Sequence, residues 1–223
     1  MKNKYLKGSH ISEKKMSELL LLFCEDHTAT EIAGITGISR ITANAYLKLL
    51  RSHIAAFCEE RNLAAFTNGH GNISGNGDYT AKKKGLFGIC VTHDFVYTTK
   101  LEGSAYQSAC EQLIKNKPGH AEMIALNADL RKFQGIIDLN TSTLLPVKQP
   151  DREQPDVPES QQEETERFWN MLRARIVKFR GLNTSTLYLH VKETEFRYNY
   201  RNENIYGLLL GIIQKKPLHL SRA

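Results

Sequence analysis

Arg40, Thr42, Asn44 and Lys48 fall within one short stretch of the chain, and their types are those that read duplex DNA from its major groove. A guanidinium can donate two parallel hydrogen bonds to guanine, a carboxamide can pair with the edge of adenine, and an ammonium can hold a phosphate. If Ile41, Ala45, Leu49 and Leu50 are the core-facing positions of a helix here, the four polar side chains point outward together. Arg51, with His27 and His53, is placed to add contacts to the sugar-phosphate backbone. An amphipathic helix that meets only water carries similar residues, so a plain helical bundle is the competing reading.

Such chemistry needs a helix presented amino-end first, and the preceding residues supply its support. Met16, Leu19, Leu20 and Phe23 recur at helical spacing and predict a first helix over about 13–25. Thr28 or Thr30 can cap a short second helix with Glu31 in its opening turn and Ile32 and Ala33 on its buried side. Gly37 then breaks the run, and Ser39 can cap the third helix. Two short helices separated by Gly37-Ile38 predict a helix-turn-helix at about 28–52, inside an all-α domain over 1–66.

Composition permits this reading without demanding it. The chain has 223 residues, 30 Lys and Arg against 24 Asp and Glu, and a formal charge of +6. A basic balance of this size suits a polyanionic partner, although basic proteins of other functions share it. The apolar run Leu19–Phe23 is far shorter than the roughly 20 residues that span a bilayer, which predicts a cytoplasmic protein with no membrane partner. Cys24, Cys58, Cys90 and Cys110 form no CxxC pair and read as free thiols.

Beyond the helical domain the character of the chain changes. Residues 67–84 are rich in Gly and Asn and read as a linker. Leu86–Thr92 and Phe95–Thr99 are β-branched and aromatic runs parted by His93-Asp94, which predicts a hairpin. A helix over 103–115, a short strand over Met123–Leu126 and an edge strand over Thr143–Val147 follow, the last limited by Pro146. Residues 148–162 read as an exposed loop, and helices fill about 163–219. On the helix over 163–179, Trp169, Leu172, Ile176 and Phe179 make an apolar stripe beside Glu166. In 183–201, capped by Thr184 or Ser185, His190, Glu193 and Arg197 share a polar face. That face can touch phosphate or close a groove, and its plainer reading is an ion-paired surface. Ile205, Leu208, Leu209, Ile212 and Ile213 form a final stripe for a core or a partner surface. Strands followed by helices predict an α/β domain over 85–223.

Several of these blocks resemble one family. Thr30-Glu31-Ile32-Ala33 through Thr42-Ala43, Glu166-Arg167-Phe168-Trp169, Lys178-Phe179-Arg180-Gly181, and Leu187 through Asn199 resemble small transposases of the IS1595 family, IS1016/ISXO2-like group. The resemblance implies an RNase H-like mixed sheet with flanking helices behind the helix-turn-helix. It also implies self-association and a strand-transfer centre in which Mg²⁺ or Mn²⁺ ions sit between acidic residues. Glu166 matches the third acid of that centre, although a glutamate in a first helical turn can simply be solvated. Asp78 is the one acid near the first position, in a glycine-rich stretch that suits a surface turn. Ala128 stands at the second position, with Asp129 beside it.

The sequence therefore predicts a transposase-like protein that binds double-stranded DNA with impaired catalysis. If chemistry persists, Asp78, Asp129 and Glu166 are its metal ligands. An active DDE-type transposase of a short insertion sequence and a basic α/β interaction protein without DNA chemistry are the alternatives.

Overall fold

The computed structural model describes residues 6–7, 11–67, 85–92, 95–115, 130, 132–147, 159–179 and 182–219. Their order is β1 (Leu6–Lys7), α1 (Glu13–Cys24), α2 (Ala29–Thr36), α3 (Arg40–Thr67), β2 (Leu86–Thr92), β3 (Phe95–Lys100), α4 (Gly103–Lys115), β4 (Gly135–Asp138), β5 (Thr143–Pro146), α5 (Glu159–Lys178), α6 (Thr184–Asn199), α7 (Ile205–Lys215) and β6 (Leu218–His219). The chain divides into a unit of Met1–Arg61 with Tyr200–Ala223 and a unit of Asn62–Asn199. Of the linker expected over 67–84, Thr67 belongs to α3 and residues 68–84 lie outside the described residues, as does the strand expected over Met123–Leu126. Among those residues, no helix is long and apolar enough to cross a membrane.

In the first unit, Met16, Leu19, Leu20 and Phe23 are buried as their spacing predicts. They share the core with Ile32 of α2 and with Ala43, Tyr46, Leu47, Leu50 and Ile54 of α3. Leu209 and Ile213 are the buried members of the α7 stripe. The terminal strands pair in parallel, Leu6 opposite Leu218.

The second unit is built on a four-stranded sheet of order β3-β2-β4-β5. All three pairings are antiparallel, so the mixed sheet of the expectation has no parallel pair among the described residues. The hairpin of β2 and β3 is present, with Thr92 opposite Phe95. Strand β5 ends the sheet at Pro146, where a missing N–H is tolerated. Strand β4 was not foreseen.

Both faces of β2 are covered, which explains its near-continuous apolar run. Phe87, Ile89 and Val91 pack with Phe168, Trp169 and Leu172 of α5 and with Leu187 and Val191 of α6. Leu86, with the partly buried Cys90, packs on the other side with Ala109 of α4, Leu130, Phe133 and Val147. Gly88 lies on that second face, where any Cβ would collide with the ring of Phe133. The result is a three-layered α/β/α unit.

Helix α6 departs most from expectation. Its polar face is not at the surface: every residue from Val191 to Tyr198 is buried. Strand β3 is at the sheet's edge, and α6 side chains seal that edge. Asn199 accepts from the Val96 amide at 2.8 Å and donates to the Val96 carbonyl at 2.7 Å. Glu195 accepts from the Thr98 amide at 2.9 Å, and Lys192 donates to the Thr98 carbonyl at 2.6 Å. Positions 192, 195 and 199 thus act as a side-chain substitute for a neighbouring strand and cover an otherwise open edge.

Glu193 and Arg197 point toward α5. Their carboxylate–guanidinium contact is 2.9 Å, and Arg175 of α5 reaches the same carboxylate oxygen at 2.8 Å. The charges are buried because each meets an opposite charge from another turn or helix. Asn183 caps α6, its side chain accepting from the Thr186 amide at 2.9 Å, in place of Thr184 or Ser185.

Candidate nucleic-acid interface

The α2–α3 corner is set by local chemistry. Thr28 and Glu31 form a reciprocal capping box, which selects Thr28 over Thr30 and fixes the entry to α2. Gly37 ends that helix in the left-handed region, at φ 68° and ψ 16°. Thr36 is buried there and donates to the Ile32 carbonyl at 2.6 Å. Ser39 then accepts from the Thr42 amide at 3.0 Å and starts α3.

The burial of α3 shows which face points outward. Ala43, Tyr46, Leu47 and Leu50 turn inward. Arg40, Ile41, Asn44, Ala45, Lys48 and Ser52 are exposed. This corrects the expected core positions: Ile41 is 83% exposed and Ala45 is exposed, while Leu49 is half-buried. The apolar spacing of Ile41, Ala45 and Leu49 is helical, but it marks a strip rotated away from the one that packs. No acidic residue occurs between Arg40 and Cys58.

Of the five predicted DNA-contacting residues, the structure gathers Arg40, Asn44 and Lys48 on this outer strip. They are four residues apart, so they span about 12 Å of helix, comparable to the roughly 12 Å width of a major groove. Thr42 is half-buried, and its hydroxyl lies 2.8 Å from that of Ser39. Arg51 is buried, its guanidinium carbon 5.8 Å from the centre of the Phe23 ring. His53 is half-buried with its ring nitrogen 3.1 Å from the Leu49 carbonyl oxygen. Lys15, from α1, brings its ammonium beside Gly37 at the turn.

Of the expected carboxylate centre, Glu166 alone falls in the described part of the chain. Asp78 and Asp129 lie outside the described residues. Glu166 is exposed on α5, one residue past buried Thr165 and two before buried Phe168. Its neighbour Arg167 pairs with Glu163 at 2.9 Å and with Glu164 at 3.0 Å. Among the described residues, no group of three or more His, Cys, Asp or Glu is arranged to hold a metal ion. Glu166 by itself does not make a divalent-ion site, and no catalytic step follows from it.

Ile41 and Ala45 are the members of the outer strip that sequence reasoning missed. Gly37 and Ser39 fix where α3 begins and are legible in the sequence, yet they do not tell this strip from the one that packs. No family model, curated protein or solved structure matches this chain.

Proposed function

We propose that the chain is a transposase-like protein whose α2–turn–α3 corner binds duplex DNA as a helix-turn-helix. The observation that carries this reading is the sorting of α3. Its inner strip closes the core, while Arg40, Asn44 and Lys48 stand exposed on a strip without acids. A helix offered in this way, behind a tight left-handed turn, supports the helix-turn-helix reading. Arg40 and Asn44 are assigned to base edges, and Lys48, with Lys15 near the turn, to phosphates.

The transposase part of the proposal rests on the IS1595-like blocks of the sequence. In this reading the second unit is an RNase H-like domain with impaired strand transfer. Asp78, Asp129 and Glu166 are then the remnant of its Mg²⁺- or Mn²⁺-binding carboxylates. Cytoplasmic residence and self-association belong to the same proposal.

Anisotropy of a labelled duplex, titrated with the full chain at several salt concentrations, tests DNA binding. With the two phosphate contacts assigned to Lys48 and Lys15, affinity falls roughly twelve-fold between about 50 and 200 mM salt. Lys48→Ala lowers the salt slope by about one, and Arg40→Ala weakens preferred duplexes most. A folded chain that binds no duplex at low salt refutes the reading.

A further inference from the structure

We infer that Ile41, backed by Ala45, reads the 5-methyl group of thymine in the major groove; this rests on the DNA-binding reading of α3. Ile41 is the most exposed of the large apolar side chains among the described residues, at 83%. A lone exposed apolar residue is ordinary on a protein surface. Ile41 is not placed in that way. It sits in the first turn of α3, beside Arg40, with Asn44 and Ala45 one turn on and Lys48 beyond them.

Folding does not account for an isoleucine there. The core of the unit closes through Ala43, Tyr46, Leu47 and Leu50. A β-branched side chain also adds nothing to an exposed helical turn that a straight polar chain would not supply better. What distinguishes the position is its company. Arg40 and Lys48 favour a polyanion, and no acid from Arg40 to Cys58 opposes one. A second protein surface would need an apolar patch matching Ile41 and Ala45 that also carries negative charge. Duplex DNA supplies both properties together, because thymine is the base that displays a methyl group in the major groove.

The geometry sets a spacing as well. Asn44 is three residues after Ile41, about 4.5 Å further along the helix axis. With base pairs stacked at about 3.4 Å, the thymine touched by Ile41 lies within one or two steps of the adenine paired by Asn44. The preferred site is therefore expected to contain adjacent or nearly adjacent A·T pairs, flanked on the Arg40 side by guanine.

The test uses the full chain and a pool of random duplexes, from which bound sequences are enriched and one preferred duplex is chosen. Each thymine in it is then replaced singly by uracil, which removes the methyl group and keeps the pairing. Replacement at one position is expected to weaken binding by the wild type about four-fold, the equivalent of about one buried carbon. Ile41→Val keeps that discrimination, Ile41→Ser binds the thymine and uracil duplexes equally, and Asn44→Ala weakens both in parallel. Ile41 is at the surface, so these variants report on recognition and not on folding.

Specific binding in which every uracil replacement stays within two-fold overturns the inference and leaves the DNA reading standing. Full discrimination by Ile41→Ser also overturns it. Self-association that Ile41→Ser abolishes, with no effect on uracil discrimination, assigns the patch to a second copy of the chain and overturns it too. Absence of any duplex binding at low salt defeats the DNA reading itself, and this inference with it.

Discussion

Glu163→Gln and Glu193→Gln remove the same charge from the same kind of ion pair in two different settings. Both glutamates lie four residues before an arginine on a helix, and both pairs are 2.9 Å long. The side chains of Glu163 and Arg167 are 54% and 63% exposed, whereas those of Glu193 and Arg197 are 1% and 6% exposed. Water and salt screen the first pair, and Arg167 keeps Glu164 at 3.0 Å when Glu163 is lost. Glu163→Gln is therefore expected to cost about 0–1 kcal/mol.

Glu193 has a larger task, because Arg175 and Arg197 share its Oε1. Glu193→Gln leaves two buried guanidinium groups facing a neutral amide, which costs about 3–5 kcal/mol. At roughly 2–4 °C per kcal/mol for a domain near this size, the second unit should melt on the order of 10 °C lower. The chain's single tryptophan, Trp169, is buried in that unit's core, so its fluorescence during heating or urea titration follows the relevant transition. Equal shifts for the two variants would mean that burial does not govern the worth of these pairs. The account of α6 as a charge-sealed interior helix would then be wrong.

Two further outcomes follow from the corner and from α5. Gly37→Val places a β-branched side chain at φ 68° and should destabilise the first unit by about 1–2 kcal/mol, read as loss of helical circular dichroism in urea. Gly34→Ala in α2, where an added Cβ meets nothing within 4 Å, should instead stabilise by up to about 1 kcal/mol. Glu166→Gln is expected to leave duplex affinity unchanged, and the wild type to show weak or no Mg²⁺- or Mn²⁺-dependent nicking. Robust metal-dependent nicking that Glu166→Gln abolishes would refute the proposal of impaired catalysis.

What the sequence made legible was local. Ser39 and Gly37 announce a cap and a left-handed stop, and the aromatic and β-branched runs Leu86–Thr92 and Phe95–Thr99 announce a hairpin. The sequence starts α5 late because Glu159–Gln162 is wholly polar and resembles in composition the polar, proline-containing stretch before it. Strand β4 escaped because it has only four residues and both of its ends carry turn-forming types, Gly135 and Asp138. Asp138 is in fact occupied in its own turn, accepting from the Asn140 amide at 2.8 Å and the Thr141 hydroxyl at 2.9 Å. The polar face of α6 was misjudged for a different reason. Lys192 meets Thr98, 94 residues earlier in the chain, and Glu193 meets Arg175 on another helix. No window around residues 190–198 contains those partners, so their charges look solvated until the fold brings the compensating groups in.

The misplacement of Ile41 shows how small a rotation separates core from interface. Ile41, Ala45 and Leu49 recur every four residues, as do Ala43, Leu47 and Arg51, while Tyr46 and Leu50 are likewise one turn apart. Periodicity alone therefore offers several strips of comparable quality on one helix. Hydrophobicity favours the strip with isoleucine and leucine, but steric bulk favours the strip with tyrosine, whose ring fills more of a small core. The choice between them is made by packing, since the caps are legible and do not decide it. Gly37 turns the chain in the left-handed region and Ser39 fixes the first amide of α3, and later side chains follow at increments of about 100°. Packing leaves Tyr46 inside and Ile41 outside. An apolar residue left outside the core, on a helix with arginine, asparagine and lysine around it, is the pattern expected where binding, and not folding, determines the side chain.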